Sequence, residues 1–321
     1  MSVAYLIRRC AQVVPTIIGI VLVGFLLIHL APGDPVLALA GEHGDQAYYA
    51  FMRERFGLDR PLHEQLGAYL ANVLRGDLGV SYTHGRPAME VVLERVPATL
   101  LLSGSALVLS SIVGVGLGVF ATLRPGGVRD VSITLGALGV YAAPVFFVAQ
   151  VALLMFALWL GWFPVHGMSG TARAATSVGH VLDVARHLTL PALVLASQEI
   201  AAVARLTRSE LGEELQADYV RTARAKGAGE RRVVIRHALR HALLPVVTVI
   251  GGRVGHLVSG AVIVEVVFGW PGIGRLLLTA MQTRNSPVLL SIFFVVAISV
   301  VVANLLTDLA YAWLDPRIRY H

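Results

Sequence analysis

The chain has 321 residues, of which 56% are hydrophobic and 14% are charged, and its mean hydropathy is +0.71. Because a soluble protein carries about 25% charged residues, this composition excludes an ordinary soluble domain and predicts a polytopic membrane protein, which we expect to be all-α. The net charge of +6 invites a nucleic-acid interpretation, but the basic residues follow loop position, as membrane topology dictates, so we expect no nucleic-acid partner.

Six stretches are long and apolar enough to cross a bilayer, which takes roughly 20 helical residues. In chain order they are Val13–Leu30, Ala98–Leu123, Val131–Leu160, Leu188–Thr207, Val246–Phe268 and Val288–Tyr311. The first could instead be the apolar part of a signal peptide, because Ala38-Leu39-Ala40 resembles a cleavage site. Its length and the five spans that follow favour an uncleaved helix.

The segment between the first two spans, Pro32–Pro97, is mostly polar. A helix can begin at Pro61, and Leu62, Leu66, Tyr69 and Leu70 would share one face of it. We therefore expect a small external subdomain with one amphipathic helix. This divides the chain into residues 1–97, with the first span and external loop, and a transmembrane core of residues 98–314.

Glycine and proline mark particular positions in the spans. Gly114 and Gly118 have the spacing that lets two membrane helices approach closely. The third span is long enough to tilt, and Pro144 is expected to kink it. The fourth span is expected to begin near Pro191, after an external loop over Pro164–His187.

Arginine positions predict the orientation of the spans. With a cytoplasmic N-terminus, the inner segments contain Arg8, Arg9, Arg124, Arg129, Arg205, Arg208, Arg317, Arg319 and the basic residues of 209–245. The two short outer loops then contain Arg173, Arg186, Arg275 and Arg284. We expect six spans, with both termini and the segment 209–245 in the cytoplasm.

Asp218–Pro245 is a basic segment between two apolar spans, with Gly227-Ala228-Gly229 at its centre. Its basic residues are Arg221, Arg224, Lys226, Arg231, Arg232, Arg236 and Arg240. Upstream, Leu211, Leu215, Tyr219 and Thr222 have the spacing of one helical face; downstream, Ile235, Leu239 and Ala242 form a second face opposite Arg232, Arg236 and Arg240. The two glycines supply the turn between them. The pattern predicts a helix-turn-helix elbow that binds a partner at the membrane surface.

Common catalytic motifs are absent from the sequence. The one lysine, Lys226, follows an alanine, so no GxxxxGK phosphate loop exists, and HExxH, CxxC and GxSxG are also missing. With one cysteine, Cys10, the chain forms no internal disulfide. His237 and His241 have zinc-ligand spacing, but no nearby carboxylate or thiolate completes a ligand set. We expect no enzyme activity, cofactor or metal.

Polar residues inside the predicted spans are candidates for the transport pathway, because ionisable groups in hydrocarbon face a bundle interior or a water-filled path. They are Gln198 and Glu199 in the fourth span, Arg253, His256 and Ser259 in the fifth, and Asn304, Thr307 and Asp308 in the sixth. The pathway candidates are Glu199, Arg253 and His256. An ion pair between Glu199 or Asp308 and an arginine of a neighbouring helix would explain these acidic residues inside the spans equally well.

Asp218–Pro245 resembles the cytoplasmic coupling loop of ABC importer permeases, whose general pattern is E-A-A, three residues and G, with L-P downstream. Gly227 matches the glycine, Ala223 the second alanine and Leu239 the leucine, whereas Arg221 and Thr222 replace the Glu and first Ala. Arg240 occupies the proline position, and Leu244-Pro245 follows five residues later. DYVRTARAKG is similar to the variant of the oligopeptide/dipeptide permease family. Six further blocks resemble the first of the two permease subunits of that family: APGDP, GLDRPLHEQ, RGDLGVS, RVPATL, VEVVFGWPGIGRLL and NLLTDLAYAWLDPRIRY.

The resemblance implies a type I ABC importer fold in the cell's inner or plasma membrane. It implies half of a translocation pathway for di- or oligopeptides, a second homologous permease, two ATP-binding-cassette ATPases and an external solute-binding protein. The ATPase-coupling residues would be Asp218, Tyr219, Arg221, Thr222, Ala223, Lys226, Gly227 and Arg231. Nickel, glutathione or sugar are alternative cargoes. A gradient-driven secondary transporter, or an elbow that binds anionic lipid or nucleic acid, are alternative functions.

Overall fold

The computed structural model describes residues 15–26, 47, 60–170, 177–252 and 254–314. Within these ranges the regular elements are helices, and extended pairing is limited to one isolated bridge between Val80 and Pro87. The helices are α1 (Pro15–Leu26), α2 (Leu62–Leu74), α3 (Ala88–Leu93), α4 (Val96–Thr122), α5 (Val128–Ala142), α6 (Val145–Ala152), α7 (Ser177–Glu214), α8 (Asp218–Ala225), α9 (Glu230–Gly252), α10 (Val254–Val267), α11 (Ile273–Gln282) and α12 (Ser286–Leu314). Two segments are π-helical, Leu153–Trp159 after α6 and Val233–Ala238 within α9.

Four described helices are long and apolar enough to cross a membrane: Ala88–Thr122, Ser177–Glu214, Glu230–Gly252 and Ser286–Leu305. A bent pair, Val128–Ala142 with Val145–Trp159, brings the number to five if the pair forms one span. The described part of the first predicted span is the shorter apolar helix α1. The number six predicted from the sequence therefore stays a prediction. The described residues of the predicted fifth span, Val246–Phe268, are helical on both sides of residue 253, in α9 up to Gly252 and in α10 from Val254.

The third predicted span is not a continuous tilted helix, because its axis turns by 104° between α5 and α6. Proline has no backbone N–H, and its ring disfavours the helical conformation of the residue before it. Accordingly Ala143 is extended (φ −76°, ψ 132°) and Pro144 precedes the first turn of α6. The predicted kink is thus a full break.

The fourth predicted span starts earlier than expected. Helix α7 begins at Ser177 and contains Pro191 in its interior, so residues 177–187 of the predicted external loop are helical. A proline inside a helix removes one hydrogen bond but is tolerated where neighbouring helices hold the helix in place. Pro191 is buried, as are Leu190 and Ala192 beside it.

One compact unit of the chain comprises Met1–Pro97, Gly272–Val302 and Tyr320–His321. Its core joins α3 to α11 and the start of α12 through Ala88, Val91, Val92, Ile273, Leu276, Ala280, Val288 and Ile292. Helix α2 begins after Pro61, as the sequence predicts, and the Tyr69 ring lies 5.7 Å from the Phe25 ring of α1. None of the predicted apolar face of α2 is fully buried.

The second compact unit comprises Ala98–Pro271 and Ala303–Arg319. Its main core is formed by α4, α6, α7 and α10 around Leu102, Ala106, Ala149, Ala196, Val264 and Trp270. The close approach predicted from Gly114 and Gly118 is confirmed: a Cβ on Gly114 would lie 2.7 Å from Val203 Cβ, and one on Gly118 2.5 Å from Thr207 Cβ. Both partners belong to α7.

Candidate functional site

The predicted elbow is a helix-turn-helix in the structure. Helix α8 ends at Ala225, and Gly227 reverses the chain with a φ of +80°, a conformation that a Cβ opposes. Open space surrounds the position where that Cβ would lie. Gly229 has a φ of −64° and precedes the first turn of α9, so one glycine makes the turn rather than the two expected.

The elbow is packed around a small hydrophobic core. Its buried members are Leu211 of α7, Val220 of α8, and Val233, Val234, Ala238 and Ala242 of α9. The partly buried residues that pack against them are Val119 of α4 and Leu215, Ala223, Ala228 and Leu239 of the elbow. The core fixes α8 against the end of α7 and the start of α9.

The two apolar faces predicted for the elbow are wrong in detail. Helix α7 ends at Glu214 and α8 starts at Asp218, so Leu211 and Leu215 do not share a helical face with Tyr219 and Thr222. Ile235, predicted on the buried face of α9, is 52% exposed. The π-helical segment has a wider turn than an α-helix and moves the buried positions to Val233 and Val234.

The predicted coupling residues lie together on the elbow. Most of them are solvent-exposed: Asp218, Tyr219, Arg221, Thr222, Lys226, Gly227 and Arg231. Ala223 differs, because it packs partly buried against the elbow core. Asp218 and Arg221 form an exposed ion pair at 3.4 Å, which contributes little to stability.

Arg224 joins the two arms of the elbow. Its Nε and Nη2 donate to the two carboxylate oxygens of Glu230 at 3.1 and 2.6 Å, and its Nη1 donates to the Leu215 carbonyl at 3.3 Å. The hydrogen bond to Glu230 raises the pKa of Arg224 above its ordinary value. Since the guanidinium bridges three chain segments, it holds the turn closed.

Tyr219 is held in a fixed position on the elbow surface. Its hydroxyl donates to Glu214, and its ring meets the His241 ring edge-on at 5.3 Å. Burial, and then the bond to Glu214, raise the pKa of this hydroxyl above its ordinary value, so it remains a donor. His241, predicted as half of a possible zinc pair, thus contacts an aromatic ring. In the described part of the chain, no group of three metal-ligating side chains could hold an ion.

Of the pathway candidates, the structure describes the side chain of Glu199, which is 5% exposed on α7. Arg253 and the side chain of His256 lie outside the described part, so their positions relative to Glu199 stay predictions. The neighbouring Gln198 donates from Nε2 to the Ala143 carbonyl at 2.9 Å, at the break between α5 and α6. In the sixth predicted span, Asn304 is exposed and Thr307 donates to the Gly251 and Ala303 carbonyls.

A half-buried ion pair joins α5 to α7 and was not predicted from the sequence. Asp130 is almost fully buried and accepts bonds from both Nε and Nη2 of Arg208, and from the Gly126 amide at 2.9 Å. One turn earlier on α7, the Arg205 guanidinium lies over the Tyr141 ring at 4.6 Å. Asp130 is the single acid between Arg124 and Leu160, a signal that could have drawn attention to it.

A second missed group is Glu265, which is fully buried near the end of α10. The Thr99 hydroxyl of α4 donates to its Oε1 at 2.6 Å, and the buried Trp270 donates from Nε1 to the Ala98 carbonyl at 2.8 Å. A buried carboxylate costs free energy unless it is bonded, so Thr99 contributes to keeping α10 beside α4. In the sequence, Glu265 could have been noticed as a single acidic residue within an apolar run.

Comparison with known proteins identifies the family. The profile described as "Binding-protein-dependent transport system inner membrane component" matches residues 114–320, and the N-terminal profile of the same systems matches residues 2–103. The chain is 38% identical over 334 residues to the dipeptide transport system permease protein of Escherichia coli K12, covering 98% of each chain. It is 40% identical to the di/tripeptide permease of Pseudomonas aeruginosa UCBPP-PA14 and 37% identical to the oligopeptide permease of Bacillus subtilis 168, covering 99% of each chain.

A solved structure supports the fold. It shows the MetNI methionine ABC transporter in inward-facing conformations, and one of its chains superimposes with a TM-score of 0.54 at 16% identity. The match covers 71% of this chain and 97% of the other. With the helical architecture, the two family profiles and the full-length relatives in agreement, the chain belongs to the inner membrane components of binding-protein-dependent transport systems.

Proposed function

We propose that this permease imports di- or oligopeptides, with energy from ATPase subunits that bind its elbow. The cargo is supported by the relatives named as dipeptide, di/tripeptide and oligopeptide permeases, each 37–40% identical over nearly the whole chain. A glutathione permease of Salmonella choleraesuis is 36% identical over 98% of this chain, which makes glutathione a second candidate cargo. Glutathione is itself a small peptide, so both cargoes belong to one chemical class.

The elbow is the observation that carries the proposed coupling role. A chain without a phosphate loop needs a partner to hydrolyse ATP, and the elbow offers a preformed docking element with exposed Tyr219, Arg221, Lys226 and Arg231. Its core of Leu211, Val220, Val233 and Val234 lets it move as a unit. The remaining coupling residues are Asp218, Thr222, Ala223 and Gly227.

The continuity of α9 explains how such docking would reach the membrane. Over the described residues Glu230–Gly252 the helix is continuous for 23 residues, from the turn at Gly229 into an apolar segment. On the other side of the elbow, Leu211 belongs to α7, which is also continuous. A displacement of the elbow is therefore passed to two long helices through short connections, residues 215–217 before α8 and the turn at Gly227 after it, and through the core that α7, α8 and α9 share.

We further propose six spans with both termini and the elbow in the cytoplasm, and an external subdomain formed by residues 1–97. Residues 98–314 form the permease core and, with a second homologous permease, the pathway. Two ATPases bind on the cytoplasmic side and a solute-binding protein on the other. Glu199, Arg253 and His256 are the candidate pathway residues. The arginine distribution supports this arrangement.

The first prediction tests the elbow with matched glycine variants. Gly227→Asp adds backbone strain of roughly 1 kcal/mol or more and places a carboxylate among Arg224, Lys226 and Arg231. We expect normal membrane insertion, loss of binding-protein-stimulated ATP hydrolysis and loss of labelled tripeptide uptake in proteoliposomes. Competition between unlabelled glutathione and the labelled tripeptide for uptake tests glutathione as the second candidate cargo.

The control for this prediction is Gly76→Asp. Gly76 has a φ of +75° and, like Gly227, open space around its missing Cβ, so the backbone cost is the same. We expect this variant to hydrolyse ATP and transport normally. Wild-type hydrolysis and uptake by Gly227→Asp would show that the elbow is not the coupling element.

A further inference from the structure

The exposed side of α9 forms a single stripe with a regular spacing of four residues. It consists of Arg232, Arg236, Arg240, Leu244 and Thr248, all of which are exposed. The buried side consists of Val234, Ala238, Ala242 and Val246, each displaced by two residues from a member of the stripe. A displacement of two residues is about 200° on a helix, so the two rows lie on opposite faces.

The stripe changes from basic to apolar between Arg240 and Leu244. Leu244 is 41% exposed and Val249 continues the apolar part. The Thr248 hydroxyl donates to the Leu244 carbonyl at 2.8 Å, so its polar atom is satisfied within the helix. At 1.5 Å per residue, Arg240 and Arg236 lie about 6 and 12 Å beyond Leu244 along the axis. A helix that passes from the hydrocarbon core of a bilayer into the headgroup region shows this change from apolar to basic residues.

The arginine charges on this stripe have no acidic partner in the described part of the chain. Glu230 is the single acid of α9, and both of its carboxylate oxygens accept bonds from Arg224. The described ion pairs include neither Arg236 nor Arg240. An unpaired arginine next to hydrocarbon extends its methylene groups along the helix and places its guanidinium where an anion is available.

We propose that Arg236 and Arg240 bind the phosphate of an acidic phospholipid at the bilayer surface. A guanidinium matches phosphate with two parallel hydrogen bonds, and two of them one helical turn apart suit a diester phosphate on a negatively charged headgroup. Arg232 lies one turn farther from the apolar part of the stripe and is not part of this site. It shares a surface groove with Gly229, Glu230, Arg231, Ile235 and Arg236. The site requires only that α9 enters the membrane, and is independent of cargo and coupling.

The experiment compares lipid binding by charge variants of the full-length chain, purified with its co-purifying subunits. Native mass spectrometry counts lipids bound during titration with phosphatidylglycerol or with phosphatidylcholine of the same acyl chains. Each arginine near an anionic surface contributes about a fivefold gain in binding. We expect Arg236→Gln/Arg240→Gln to bind phosphatidylglycerol about 25-fold more weakly at the tightest site, with phosphatidylcholine unchanged. The Arg236→Lys/Arg240→Lys variant should recover much of the loss.

A double variant elsewhere controls for total charge. Arg60 and Arg75 are also exposed and lie in the polar segment outside the predicted spans, and Arg60→Gln/Arg75→Gln removes the same charge but should leave phosphatidylglycerol binding intact. If the first double variant cannot be purified, the single variants carry the test with about fivefold losses. Equal binding of the two lipids by the wild type, or equal losses in both double variants, would overturn the proposal. So would loss of the ATPase subunits with phosphatidylglycerol binding retained.

Discussion

At the scale of single residues, Gly114 and Gly118 set the distance between α4 and α7. A Cβ on Gly114 would lie 3.2 Å from the Ile200 carbonyl oxygen, and one on Gly118 2.7 Å from that of Ala204. Backbone atoms cannot move aside as a side chain can, so these contacts require glycine. Van der Waals packing between small residues is the main attraction between membrane helices, and this contact contributes to it directly.

We expect Gly118→Ala to destabilise the protein by about 1–3 kcal/mol, the usual cost of overpacking. The midpoint of thermal unfolding, followed by tryptophan fluorescence in detergent, should fall. Gly116→Ala is the matched control on the same helix, because nothing lies within 4 Å of its missing Cβ. Alanine there should be neutral or stabilising, since it has the better helix propensity. Equal midpoints for the two variants would contradict the close contact.

The residue patterns predicted this contact in part. The spacing of Gly114 and Gly118 indicated a close approach, but Val203 and Thr207 were not identifiable as partners. The Asp130–Arg208 pair joins residues 78 positions apart, and Glu265 and Thr99 are 166 positions apart. Such pairings depend on how helices are arranged in space, and one sequence does not contain that arrangement.

At the scale of elements, the break between α5 and α6 is held by α7. Ala143 lies between the two helices in an extended conformation, and its carbonyl would be unsatisfied in hydrocarbon without the Gln198 amide. Periodicity did not reveal the break, because the apolar run from Val131 to Leu160 continues across it. Pro144 marked its position but not its angle.

We expect Gln198→Leu to cost about 1–3 kcal/mol by leaving the Ala143 carbonyl unpaired, and to loosen the bend. Spin labels at Leu135 and Leu158, both exposed, would report the angle by pulsed electron paramagnetic resonance in a Cys10→Ser background. The distance distribution should broaden in Gln198→Leu. It should stay narrow in Gln150→Leu, where the exposed amide of α6 is removed instead. Identical narrow distributions would show that Gln198 does not control the bend.

At the scale of the whole molecule, composition and sequence blocks were sufficient for the class and the family. The helical class and the helix after Pro61 were predicted correctly, and the family profiles match the blocks that carried the resemblance. The ends of the spans were less predictable, because α7, α9 and α12 extend beyond their apolar windows. The amphipathic helix α11, over Ile273–Gln282, was missed because ten residues are too few to attract attention in an apolar chain.

The proposed topology predicts opposite labelling on the two sides of the membrane. Single cysteines at His63 of α2 and Glu213 of α7, both exposed, are introduced in a Cys10→Ser background. An impermeant thiol reagent added to intact cells should label the cysteine at 63 and leave the one at 213 unlabelled until the cells are opened. Labelling of both in intact cells would contradict the orientation inferred from the arginines.

The π-helical segment Val233–Ala238 gives the elbow a constraint on its length. Surface connections usually tolerate insertions and deletions, because a loop absorbs the change. Here the wide turns lie inside a continuous helix, so removing or adding one residue rotates everything beyond it by about 100°. Arg240 would leave the exposed side, Ala242 and Val246 would turn away from α7, and the register of the span would change with them. The number of residues in this segment is therefore constrained more tightly than the identity of its exposed side chains.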